Sequence, residues 1–432
     1  MTIFISFRRQ ASRTFRLFRS SPTIFKEFGM SIQKESSFVP KKVLVLAKVS
    51  RFDFERLREP KLNDKQIETK LLERGSDCKA MLESHRKNKD VVNQAVKTLE
   101  TLNIEYKLTD RLSIDQASFD WADMILAIGG DGTFLLGANL VYDNSKPILG
   151  INSDPSTSEG YLMLSPNYTY QIPKIFEMLK SGNFNYLMRS RIRVTLRGTG
   201  ILNPPFHMHE KGRILGKESY KPYYTDKDLD IDNCYIQRRF QADNQEDATL
   251  GHDAPKERKL PWLALNEVFI GESLSARTSS LNIKVDDGPD FHKVKSSGLC
   301  ISTGTGSSSW YRAINSLTTQ MVKDILRVAD PHKSHTEEEL EKICTDFNNS
   351  LQFPADDQRM SYAIRDIIIN DIWPLPKTIA PRDFCTTMTV QSQCYDADLV
   401  LDGGIGVPFN VGTTAYLTID PEDALRTIVL ED

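Results

Sequence analysis

The chain has 432 residues, room for two domains, and is 40% hydrophobic, 26% charged and 9% aromatic. That balance describes a packed globular protein and excludes wholesale disorder. A formal net charge of −3 lacks the basic surplus of a nucleic-acid binder, and no run of about 18 apolar residues is present to span a membrane.

The first 30 residues stand apart. Arg8, Arg9, Arg13, Arg16 and Arg19 alternate with Phe4, Phe7, Phe15, Leu17 and Phe18, and the first acidic residue is Glu27. Basic and apolar residues at helical spacing without acids describe a mitochondrial presequence, which is set aside from the fold. Lys42 to Ala47 (KVLVLA) reads as a buried strand. The charged region 51 to 90 suits short surface helices. Asp90 is placed to cap a helix carrying Val92, Ala95, Val96, Leu99 and Leu102. Ile104, Tyr106 and Leu108 alternate like a strand, and Met124 to Ile128 forms another, ending in Gly129-Gly130-Asp131-Gly132-Thr133. A helix with Phe134, Leu135 and Leu140 follows, then a strand at Pro147 to Ile151. This alternation predicts a parallel, Rossmann-like α/β domain over residues 40–190.

Beyond residue 190 the period becomes two: Arg191 to Arg197, Ser280 to Val285 and Thr386 to Val390 alternate polar and apolar. A β-rich domain, with antiparallel sheets, is expected over 191–420. Residues 200–258 read as a polar surface insertion, and His207 and His209 within it are too few for a convincing metal site. Thr336 and Glu339 form a capping box for a helix with Leu340, Ile343, Cys344, Phe347 and Leu351 on one face. The tail, 421–432, is expected to return to the first domain. The six cysteines (78, 234, 300, 344, 385 and 394) form no C-x-x-C pair and read as reduced thiols.

The glycine turn at 129–133 carries chemistry. Glycines let the backbone approach a ligand, and the following helix N-terminus favours phosphate. The spacing is neither the dinucleotide fingerprint nor a P-loop, since no lysine follows the glycines. Asp131 in the middle would repel phosphate unless it meets a cation or takes a proton. The competing reading is a plain Asp-Gly turn.

Several motifs together resemble the NAD kinase family. They are GGDGT, Gly150-Ile151-Asn152 continuing to Pro155 with Ser158-Glu159-Gly160, Asn266-Glu267 before Val268, and the Gly298 to Ser307 stretch (GLCISTGTGS). The Gly150 and Phe269 segments look like the mitochondrial branch. The resemblance implies an NAD kinase/diacylglycerol kinase-like fold and ATP-dependent phosphorylation of the adenosine 2′-hydroxyl of NAD. Mg²⁺ or another divalent cation would accompany ATP, with NAD as substrate. A matrix location and a homodimer are also implied. Asp131 matches the catalytic aspartate, and Gly129, Gly130, Gly132 and Thr133 would shape the phosphate site. Asn152, Asn266, Glu267, Ser302, Thr303, Thr305 and Ser307 would bind NAD, in a cleft between the domains. No metal ligand is assigned. Gly304 stands where proline is usual, which would loosen that loop. Ser297 replaces a common aspartate, which would remove a polar contact, and Trp310 replaces tyrosine. Without the resemblance, Asn266-Glu267 reads as a strand end, 302–309 as a flexible loop, and Asp402-Gly403-Gly404 as a hairpin turn. The alternatives are a lipid kinase of the diacylglycerol or sphingosine type, which shares GGDGT, and an NADP-binding sensor without turnover.

Overall fold

The computed structural model describes residues 32–34, 37–201, 203–208, 257–274, 276–371 and 379–431. The presequence reading and most of the 200–258 insertion, including His209 and Cys234, lie outside them. The described residues divide into two compact units. An α/β unit runs to Met188 and takes the C-terminal stretch from Leu425, and a β-rich unit runs from Arg189 to Ala424.

The α/β unit is built on one sheet. Its strands are β1 (Ile32–Lys34), β2 (Lys42–Ala47), β3 (Glu105–Asp110), β4 (Met124–Gly129), β5 (Ile148–Asn152), β6 (Phe184–Arg189) and β20 (Leu425–Leu430). The order is β1-β6-β20-β5-β4-β2-β3. β3, β2, β4, β5 and β20 pair in parallel, and β1 runs antiparallel to β6. Val43–Leu46 and Met124–Ile128 are fully buried on both faces. This is why those strands read as unbroken apolar runs rather than as alternation. On one face Val43, Val45, Leu126 and Ile128 pack with Val91, Ala95, Leu99, Ile175 and Leu179.

Six helices serve this unit: α1 (Arg51–Arg58), α2 (Asp64–Glu73), α3 (Cys78–Thr101), α4 (Gln116–Trp121), α5 (Asp131–Ala138) and α6 (Ile172–Ser181). The expected cap at Asp90 is corrected. The cap of α3 lies thirteen residues earlier, at Asp77, whose carboxylate accepts from the Ala80 N–H, and Asp90 lies inside the helix. Phe52, Ile67, Leu71, Cys78 and Met81 make a small separate core beneath α1 and α2. α5 ends at Ala138, before Leu140. A Cβ on its Gly137 would meet Ile148 Cδ1 at 2.9 Å and Leu46 Cδ2 at 3.3 Å, so this glycine lets the helix lie close on the sheet.

The β-rich unit has two sheets. One is a seven-stranded sheet ordered β15 (Arg382–Cys385), β14 (Met360–Arg365), β13 (Gly298–Ser302), β10 (Glu267–Glu272), β17 (Ala397–Leu401), β18 (Ile405–Pro408) and β8 (Phe206–His207). The other is ordered β12 (His292–Ser296), β11 (Ser279–Val285), β16 (Thr387–Ser392), β19 (Thr413–Ile419), β7 (Ile192–Gly198) and β9 (Glu257–Lys259). Their pairings are antiparallel, and their period-two alternation follows from one buried and one more open face, as in β11 and β16. Three helices follow β13: α7 (Trp310–Asn315), α8 (Thr319–Ala329) and α9 (Glu337–Ser350). The Thr336–Glu339 capping box is present on α9. Of its apolar stripe, Leu340 and Cys344 pack against Val322 of α8, whereas Ile343 is 42% exposed.

Candidate active site

The glycine turn sits at the carboxyl ends of parallel strands β4 and β5, the edge where open α/β sheets bind ligands. Gly129 pairs with Asn152, and the Ser153 N–H donates to the Gly129 carbonyl at 2.9 Å. Asp131 is the first residue of α5 and is partly exposed. Its Oδ2 accepts from the Tyr161 N–H at 3.0 Å and its Oδ1 from the Leu162 N–H at 2.9 Å. Both oxygens are thereby oriented.

Asn152 is buried and its side chain is used within its own loop: Nδ2 donates to the Ser158 carbonyl at 2.9 Å and Oδ1 accepts from the Asp154 N–H at 3.1 Å. Its geometry is that of a residue shaping the 153–160 loop beside Gly130. Lys87 and Asn88 on α3 hold the same loop through Asp154, Ser156 and Ser153. The Ser156 hydroxyl and the Lys87 ammonium hold the Asp154 carboxyl down at about 2 against the opposing effect of burial.

The remaining candidates gather in the β-rich unit, where β10 meets β13. Ser302, Thr303, Thr305 and Ser307 are buried, which an open surface loop would not show. Gly304 has an ordinary helical φ of −59°, but a Cβ there would collide with the carbonyl of Pro354 and lie 3.0 Å from the Ala355 Cα. The close approach of that neighbouring chain accounts for glycine in place of proline. Most of the loop hydroxyls are committed to backbone. Thr303 Oγ1 donates to the Leu265 carbonyl at 2.6 Å, Ser302 Oγ to the Thr303 carbonyl at 3.0 Å, and Ser307 Oγ to the Gly304 carbonyl at 2.6 Å. Thr305 meets Arg189 at 3.3 Å.

Two buried atoms are left over. Asn266 Oδ1 and Glu267 Oε2 have no hydrogen-bond partner among the described residues. Buried polar atoms seldom stay unpaired, so both are suited to a ligand. Burial first, and then the charge of Asp402, push the Glu267 carboxyl up to about 8.

Asp402 reads in the sequence as a hairpin-turn residue, slightly favoured over a ligand contact. It does sit in a hairpin, at φ 49° with Gly403 at φ 64°, between β17 and β18. It also accepts the N–H groups of Leu265, Asn266 and Glu267 at 2.9, 2.7 and 3.2 Å. Ser297 does not leave a gap: its hydroxyl donates to Asp366 at 2.6 Å and accepts from Arg365 Nε at 2.6 Å. The Arg365 guanidinium lies 5.1 Å from the Phe269 ring and 6.0 Å from the half-exposed Trp310 ring.

Among the described residues no group of three or more His, Cys, Asp or Glu side chains is arranged to hold a metal ion. The five described cysteines are free and buried.

The family model of the ATP-NAD kinase N-terminal domain matches residues 34–180. The rat protein "NAD kinase 2, mitochondrial" is 37% identical over 403 residues, 92% of this chain and 89% of its own. The human protein of the same name is 36% identical over 409 residues, 93% of this chain and 87% of its own. A solved yeast NADH kinase complexed with NADH aligns with 95% of this chain and 90% of its own at 12% identity and a TM-score of 0.49.

Proposed function

Because this chain belongs to the NAD kinase family, we propose that Asp131 takes the proton from the adenosine 2′-hydroxyl of NAD as that oxygen attacks the γ-phosphorus of ATP. The chain is a phosphotransferase with an alcohol acceptor, and the near-full-length match supports an NAD kinase over a lipid kinase or a binding-only protein. The observation that carries the residue assignment is the Asp131 carboxylate itself. It opens a helix at the carboxyl edge of the sheet, and the Tyr161 and Leu162 amides fix its direction.

The oxygen–phosphorus bond to NAD forms as the β–γ bridging bond of ATP breaks, and the hydroxyl proton passes to Asp131. The amides at the α5 N-terminus and the small residues Gly130, Gly132 and Thr133 leave room for phosphate oxygens. A divalent cation such as Mg²⁺, bound with ATP, would supply neutralisation of the triphosphate charge, and Asp131 is the carboxylate of the glycine turn that would face it. Asn266 and Glu267 turn their unpaired polar atoms to NAD, and the 302–307 loop fixes the backbone behind them. Positioning of both substrates contributes the rest.

The test is to incubate the purified chain with NAD, ATP and Mg²⁺ and identify the product, with Asp131→Asn beside it. Loss of a general base costs about 10² to 10⁴ in rate. We expect kcat to fall on that scale with NAD affinity largely kept. Turnover within about threefold of the parent, well short of that range, removes Asp131 as the base.

The mitochondrial names of the relatives and the acid-free, arginine-rich first 26 residues together support a mitochondrial address, and we extend this to the matrix, with loss of about the first 30 residues. A homodimer, implied by the resemblance, is part of the same reading. A fusion of residues 1–40 to a fluorescent protein that stains the cytosol would remove the first, and a monomeric mass in light scattering the second.

A further inference from the structure

We propose that Asp402 is the positioning residue for the NAD-contacting pair: by holding the N–H groups of Leu265, Asn266 and Glu267 at once, its carboxylate fixes the strand entry from which Asn266 and Glu267 present their side chains. This rests on the reading that those two residues contact NAD. A hairpin turn alone does not require the arrangement. Asp-Gly suits a turn whose central residues both have positive φ, and asparagine would serve equally. Here the carboxylate is instead turned toward the entry of the neighbouring strand β10. It takes the amides of Leu265 and Asn266 just before that strand and of Glu267 at its first residue, and its own N–H donates back to the Glu267 carbonyl at 3.0 Å.

The arrangement also sets the charge of the pair. Burial outweighs the three amides and the nearby Arg191 guanidinium, so the Asp402 carboxyl rises to about 6. Glu267 rises further because it has no comparable donors and faces the Asp402 charge. The two carboxyls titrate as one coupled pair, and burial raises the range over which that pair keeps a proton. A neutral Glu267 can donate a hydrogen bond to an acceptor oxygen of NAD, which an ionised one cannot. Charged and titratable groups near the pair include Arg191, which lowers Asp402, His207 on β8, which pairs with Ile405 beside the turn, and the Cys300 thiol on β13, itself pushed up by burial and by Glu267, with Arg365 on β14 acting on Cys300 in the opposite sense.

The test is Asp402→Asn in the full chain. Asparagine tolerates the positive φ and keeps one acceptor oxygen, but sets an NH₂ group against an amide N–H and removes the charge beside Glu267. The KM for NAD is expected to rise about tenfold, the scale of one hydrogen bond to a charged group. kcat and the KM for ATP should stay within about threefold, since a positioning loss on the NAD side is uniform binding. In the parent the KM for NAD should climb as pH rises through about 8, where Glu267 loses its proton. In the variant the climb should begin at lower pH, because the charge that raised Glu267 is gone. An unchanged KM for NAD with an unchanged pH profile overturns the proposal. Asn266→Ala is measured alongside. If it too leaves the KM for NAD unchanged, the NAD-contact reading falls; if it alone raises KM, only the role of Asp402 falls. Should the Asp402 variant fail to fold, calorimetry of the parent with NAD from pH 6 to 9 decides, and an affinity flat across that range overturns the proposal.

Discussion

The glycines of the 129–133 turn are not equivalent. A Cβ on Gly129 would lie 2.8 Å from Lys48 Cβ and 2.9 Å from Thr133 Cβ, whereas one on Gly132 meets nothing within 4 Å. Gly129→Ala is therefore expected to destabilise by about 1–3 kcal/mol, the usual cost of overpacking. Gly132→Ala, at a helical position, is expected to leave Tm unchanged or slightly raised, since alanine is the better helix former by up to about 1 kcal/mol. It should still slow turnover, because the new methyl occupies the open ground before the α5 N-terminus. Thermal melts and NAD-dependent rates on the two variants separate packing from function; a fully active Gly132→Ala would show that the open space serves no substrate. At this scale the sequence showed Asp131 within its glycine turn but not its orienting amides, which come from a segment 30 residues further on. The hairpin turn at Asp402 was legible, and its hold on the Leu265–Glu267 amides was not. An aspartate that makes a turn and one that clamps a neighbouring strand carry the same Asp-Gly signature, and here one residue does both. The cluster of hydroxyls at 302–307 was visible, but not that most of them face backbone.

Among the elements, strands were the most legible, because burial leaves an unambiguous trace: continuous where helices cover both faces, as in β4, and alternating where one face opens, as in β16. Helix starts were less so. The apolar period in α3 becomes visible only at Val91, since its first half carries lysines, an arginine, a glutamate and a serine, and meets the small core of Phe52 and Ile67 rather than the main sheet. Asp90 stood where that period begins and so read as a cap, although the chain had already been helical from Cys78. α8 was not foreseen. Its buried contact is narrow, centred on Val322, while Met321, Ile325 and Val328, at i, i+4 and i+7 on one face, are exposed, so here an apolar face is not a buried one. The same weakness explains why Ile343 on α9 fits the periodic stripe yet remains open to solvent.

For the whole molecule, the alternation from 40 to 190 and the change of period after it separate the two folding styles, and the division observed between Met188 and Arg189 falls where the period changes. The return of the tail to the first domain was expected; which strands it joins depends on pairings that local sequence does not encode. β20 enters between β6 and β5, in the interior of the sheet rather than at an edge, with Leu425 and Leu430 buried and Thr427 donating to the Leu187 carbonyl at 2.9 Å. A chain ending at Ala424 would leave that slot open, with unpaired backbone and an exposed apolar seam on both sides. Such a truncation is expected to be insoluble or to lack native near-ultraviolet dichroism, and a soluble, cooperatively melting product would contradict this. Synthesis runs from the other end, so the glycine turn leaves the ribosome long before the strand that completes its sheet. The α/β unit begins first and finishes last. An interrupted translation product would carry the GGDGT motif intact and still be unable to form the surface that uses it, so completion of the chain acts as a licence for the activity.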